Sequence, residues 1–150
     1  MTCPGESGSA LPQQPGTGNA PLINKQLALS LVQKAKAAHL KWRVYAQCLV
    51  EGLDCPQDSA PLLSTECEFG KWYYNQGKQM LGELTFYRAL EPPHETLHAL
   101  YGRIHHLVEQ DKLDEARKHM PGLIGISETL LETIAFLEEE IASLPPRPHR

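Results

Sequence analysis

The sequence predicts an all-α protein: an antiparallel four-helix bundle with a kinked last helix, behind a disordered N-terminal leader. Three observations lead there. Apolar residues recur every three or four positions through four long stretches. The links between those stretches carry glycine, proline and aspartate. No strand alternation, internal repeat or glycine-rich phosphate loop interrupts the pattern. Four amphipathic helices joined by short links bury their stripes most simply in an antiparallel bundle.

Residues 1–21 are mostly Gly, Pro, Ser, Gln and Thr, with too little apolar surface to offset the entropy of ordering, so they are expected to form a disordered leader. The tail 145–150, Pro145-Pro146-Arg147-Pro148-His149-Arg150, is expected to be flexible in the same way. One domain, 22–144, remains between them, and the 41% apolar content of the 150-residue chain is enough to give it a core.

The first helix is expected from about Asn24 to Glu51, with Leu27, Leu31, Ala35, Ala38, Trp42, Tyr45 and Leu49 as its buried stripe and His39 on it. Gly52 should end it, and Asp54 to Pro61 should form a loop. A second helix is expected from about Ser64 to Gln79, capped by Ser64 or Thr65. Phe69, Tyr73, Gln76 and Met80 mark one of its faces; Cys67, Gly70, Tyr74 and Gly77 mark another. Glycines on the cysteine face would let a neighbouring backbone come close. Glu91-Pro92-Pro93 opens a third helix, proline being tolerated in a first turn. Its stripe is His94, Leu97, His98, Tyr101, Ile104, His105 and Val108. The fourth, from about Leu113 to Ser143, should bury Leu123, Leu130, Ile134, Leu137 and Ile141, with Pro121-Gly122 kinking it or delaying its start.

The charge pattern excludes some functions. Net charge is -4, and the basic residues are dispersed, which does not suit nucleic acid or an anionic membrane. No run approaches the roughly 20 apolar residues of a membrane span, and the N-terminus lacks the blocks of a secretory signal. The chain is therefore expected to be cytoplasmic. Its four cysteines, Cys3, Cys48, Cys55 and Cys67, form no CxxC and no disulfide framework.

Chemistry concentrates at four residues. His94 and His98 stand four apart on one helix and can reach a common ion. His39 and Cys67 lie on the first and second helices; 28 residues separate His39 from Cys67 and 27 separate Cys67 from His94, each interval about one helix and a turn. Imidazole nitrogen and thiolate are the ligands of a tetrahedral zinc site. Taken singly, each has a plainer reading: a core histidine with a hydrogen bond, or a cysteine acting as a small hydrophobe. Together they would bury three imidazoles whose polar nitrogens need partners. His105 is about 10 Å further along the helix and cannot share an ion with His94. Glu66 and Glu68 fall off the cysteine face, and His106, His119 and His149 face solvent. The inward carboxylates of a di-iron site and the CxxCH of haem attachment are missing.

The segments His39-Leu40-Lys41-Trp42, Cys67-Glu68-Phe69-Gly70-Lys71-Trp72-Tyr73-Tyr74 and Pro93-His94-Glu95-Thr96-Leu97-His98 resemble the chemoreceptor zinc-binding (CZB) domain of bacteria, over about residues 28–142. The resemblance implies a helical bundle holding one zinc ion through His39, Cys67, His94 and His98. Such domains are usually appended to cytoplasmic chemoreceptors or diguanylate cyclases, sense zinc or oxidants such as hypochlorous acid, and often support homodimers. No output domain is expected within these 150 residues, so the chain is read as a stand-alone member. An enzyme is not expected, because four protein ligands close the shell a catalytic zinc keeps open. The rival reading is a structural or homodimerising helical module without a sensing role.

Overall fold

A computed structural model describes residues 23–53 and 64–145. The leader 1–21, the loop 54–63 with Cys55, and residues 146–150 of the tail lie outside them. The described residues form helices joined by short links, with no strand among them.

Helix α1 (Lys25–Val50) starts where Asn24 accepts the Leu27 N–H through its side chain, satisfying one of the donors a helix start leaves open. It ends at Gly52, whose φ of 70° is the left-handed conformation glycine adopts without penalty. The Leu53 N–H returns to the Cys48 carbonyl and the Gly52 N–H to Leu49, a Schellman closure. The buried stripe is Ala28, Val32, Ala35, His39, Trp42, Ala46 and Val50. It is rotated by about one residue from the expected one: Ala35 and Trp42 belong to both, but Leu27 is 46% exposed, and Leu31, Ala38, Tyr45 and Leu49 flank the stripe, only partly buried. That shift puts His39 in the middle of the buried face.

The second rod runs from 68 to 81 in three parts: α2 (Glu68–Trp72), a π-helical turn (Tyr73–Gly77) and α3 (Lys78–Leu81). Its i→i+5 bonding takes one more residue per turn. The buried face therefore passes through Phe69, Tyr73, Gly77 and Leu81. This corrects the expected face: Gln76 is exposed and Met80 only partly buried. The short helix α4 (Thr85–Arg88) follows, and Glu140 accepts the Thr85 and Phe86 N–H groups at 2.8 and 2.9 Å. Tyr73 and Tyr87 stack, and each hydroxyl donates to the other's carbonyl, which fixes α4 to the π turn.

Helix α5 (Glu91–Glu109) opens on the Pro92-Pro93 pair as expected. The last rod begins with α6 (Leu113–Lys118), and Pro121 sits in the first turn of α7 (Met120–Ala142), so the proline delays the long helix. All five expected α7 core residues are buried, and Ser127 is buried with them. Helix α7 packs along α1 and α5, which also meet each other, and α1 touches α2. The stretch 113–142 is long enough and, with a mean hydropathy of 1.3 over its most apolar window, apolar enough to cross a membrane. A core helix passes the same test, and here the apolar stripe packs into the core.

Candidate metal centre

Cys67 lies just before α2, in extended backbone (φ -72°, ψ 158°). It is the helix N-cap, replacing the expected Ser64 or Thr65: its sulfur accepts the Gly70 N–H at 3.1 Å. The turn before it is tight. A Cβ on Gly70 would sit 1.7 Å from the Ser64 carbonyl oxygen, so only glycine fits. The close approach expected at the glycines is thus made by the preceding turn of the same segment, rather than by a neighbouring helix. Its effect is to aim the sulfur inward, leaving Cys67 1% exposed.

His94 and His98 project from the first two turns of α5 and are 2% and 4% exposed. His94 Nε2 lies 3.2 Å from Cys67 Sγ and 3.2 Å from His98 Nε2. The ligand atoms of all three residues fall within 4.8 Å of one another. Phe69 packs against the His94 ring and Trp42 against the edge of His98, so aromatic walls from α1 and α2 hold both rings.

The donor set fits a thiophilic cation. Around tetrahedral zinc, with bonds of about 2.0–2.1 Å to nitrogen and about 2.3 Å to sulfur, neighbouring ligand atoms stand roughly 3.3–3.6 Å apart. The two observed contacts lie close to those edges. His94 Nε2 carries either one proton or one lone pair, yet it faces both a sulfur and a second ring nitrogen. A shared cation satisfies all three lone pairs together. His94 Nδ1 is buried without a hydrogen-bond partner.

His39 is 2% exposed but stands outside this three-residue group. Its Nε2 lies 2.9 Å from Ser127 Oγ on α7. Ser127 is not among the core residues expected for this helix, although a lone hydroxyl on an apolar stripe marks it in the sequence. Glu66, Glu68 and His106 are exposed, as expected, and His119 is partly so. His105, partly buried, pairs with Glu109 at 3.4 Å, while His149 lies outside the described residues.

Burial decides the protonation of the group. Desolvation first, then the neighbouring His98 and His39 charges, pushes the His94 pKa down to about 3. Desolvation, followed by the Arg43 and His98 charges, pushes His39 down to about 4, against the opposing bond with Ser127. Both rings are therefore neutral, the form that binds metal. Desolvation pushes the Cys67 thiol up, and the Gly70 amide opposes this. The thiol keeps its proton until a cation displaces it.

A stability trend follows for the metal-free protein. Both histidines have folded-state pKa values below the ordinary value of 6.5, so the unfolded chain takes up more protons as pH falls. Their contribution is intact above about pH 6.5 and is lost as pH falls toward 4 and 3. By pH 5 the loss is about 2 kcal/mol for each histidine. Urea unfolding of chelator-treated protein at pH 7.5 and pH 5 measures it. Equal stabilities would contradict the burial of these rings.

Residues 39–105 match the family model of the chemoreceptor zinc-binding domain. No curated protein and no solved structure matches the chain. The matched segment begins at His39, contains Cys67, His94 and His98, and ends four residues before α5 does. With the three-donor cluster inside that segment, the chain carries a chemoreceptor zinc-binding domain over residues 39–105.

Proposed function

We propose that the chain binds one zinc ion through Cys67, His94 and His98, with His39 as the fourth ligand, and acts as a regulatory sensor domain in bacterial cytoplasmic signalling. The observation that carries this reading is the meeting of the Cys67 sulfur and the His94 and His98 Nε2 atoms, buried and 3.2 Å apart in sequence of contact. His39 is buried, and the electrostatic influence of His39 on His94 and of His98 on His39 supports counting it with the group. In this reading the rods α1, 68–81, α5 and α6–α7 are the four members of an antiparallel bundle.

Bound zinc supplies a cross-link between helices and holds Cys67 as thiolate. Cys67 ties the start of α2 to α5, and His39 would extend the tie to α1. Oxidation of the thiolate to sulfenic acid by an oxidant such as hypochlorous acid would leave a poor ligand and loosen the tie. Zinc level or oxidant would then reach a chemoreceptor or diguanylate cyclase partner, or a second copy of the chain, as a change in helix packing. Four protein ligands leave no open coordination position, so the reading is of a non-enzymatic domain.

Exposed apolar residues favour a second reading, a homodimerising module without sensing. Leu40 and Val44, one turn apart on the outer side of α1, are 40% and 59% exposed. Zinc titration against a competing chelator separates the ligand claims. The wild-type chain should take one equivalent, His98→Ala should bind at least about 100-fold more weakly, and His39→Ala should fall between them. Wild-type affinity in His98→Ala would defeat the proposal. A sedimentation profile indifferent to zinc removal would favour the second reading.

A further inference from the structure

Ser127 is the polar exception on a buried stripe that otherwise reads Met120, Leu123, Leu130, Ile134, Leu137 and Ile141. It is fully buried. Alanine at this position would favour the helix more and bury no hydroxyl. The hydroxyl has a specific use, since its Oγ lies 2.9 Å from His39 Nε2, bridging α7 to α1.

A neutral imidazole has one N–H and one lone pair. The hydrogen bond made by one ring nitrogen decides which nitrogen is left for a metal, and such outer partners orient the ring and raise its basicity. We infer that Ser127 is a positioning residue for the metal centre: it accepts the His39 Nε2–H, so His39 presents Nδ1 as its ligand nitrogen and α7 becomes tied to the bound ion. The inference rests on His39 being the fourth ligand. It reaches beyond the family match, which ends at residue 105 and leaves α7 out. Occupancy of the site would thereby be felt along the helix that packs on both α1 and α5.

Four forms of the full chain test this: wild type, Ser127→Ala, Ser127→Thr and His39→Ala. Each is titrated with zinc against a competing chelator and, separately, loaded with Co2+ for visible absorption. Ser127→Ala should bind zinc about 10–100-fold more weakly. Its cobalt ligand-field bands should shift, while the sulfur-to-metal charge-transfer band persists because Cys67 is untouched. Ser127→Thr, which keeps the hydroxyl, should recover most of the affinity. Thermal melts of the metal-free forms show that the Ala variant is folded. Wild-type affinity and an unchanged cobalt spectrum in Ser127→Ala would overturn the inference. Tighter binding would overturn it too, because Ser127 would then compete with the metal for His39. If His39→Ala weakens binding and Ser127→Ala does not, only the role of Ser127 falls. If His39→Ala binds as wild type, the fourth-ligand reading falls and this inference falls with it.

Discussion

Cys67→Ala is expected to weaken zinc binding at least about 100-fold, because structural zinc sites gain on the order of 10–16 kcal/mol from four ligands and each ligand carries a few kcal/mol of that. The same change removes the cap of α2, since the Gly70 N–H loses the sulfur it donates to. Lost caps cost about 1 kcal/mol even without metal. Cys67→Ser separates the two roles. Serine is a good N-cap and a poor zinc ligand, so the metal-free Ser variant should melt near wild type while still failing to bind zinc. Calorimetric titration and metal-free thermal melts of both variants measure this. Zinc binding of wild-type strength in Cys67→Ala would show that the thiolate is not a ligand.

Gly70→Ala is expected to be the most disruptive glycine-to-alanine change among the described residues. The new Cβ would sit 1.7 Å from the Ser64 carbonyl oxygen and 2.8 Å from its carbon. Both are backbone atoms, which cannot swing away as a side chain would. Relief requires opening the turn that delivers Cys67, so stability should fall by about 3 kcal/mol or more and zinc binding should weaken with it. Gly102→Ala is the contrast. It lies in α5 with nothing within 4 Å of the new atom. That change should be neutral or stabilising by up to about 1 kcal/mol. Urea unfolding of the two variants reads the difference directly. Equal effects would mean that the turn before Cys67 is not tight.

Helix spacing carried much of this architecture. The α7 core residues are strongly apolar at regular intervals, and their burial follows from the sequence alone. His94 and His98 share a face because four residues is close to one turn. The α1 stripe came out rotated because alanines at 28, 35 and 46 take the close helix contacts, while larger residues such as Leu27 and Val44 stay outside. Hydrophobicity ranks Leu27 above Ala28; packing distance ranks them the other way. The Tyr73–Gly77 π turn was not legible, because it is set by the reciprocal clasp of Tyr73 with Tyr87 on another element. Cys67 as a cap was missed because sulfur is outside the usual oxygen-bearing capping residues. The role of Ser127 is legible only in part: the sequence marks a lone hydroxyl on an apolar stripe, but its contact with His39 is set by the packing of α7 on α1.

Zinc K-edge X-ray absorption on the zinc-loaded chain tests the centre most directly. One sulfur scatterer at about 2.3 Å and nitrogen scatterers at about 2.0 Å are expected, with the sulfur lost in Cys67→Ser. A first shell of nitrogen and oxygen alone, or a spectrum unchanged by Cys67→Ser, would contradict a site built on Cys67, His94 and His98.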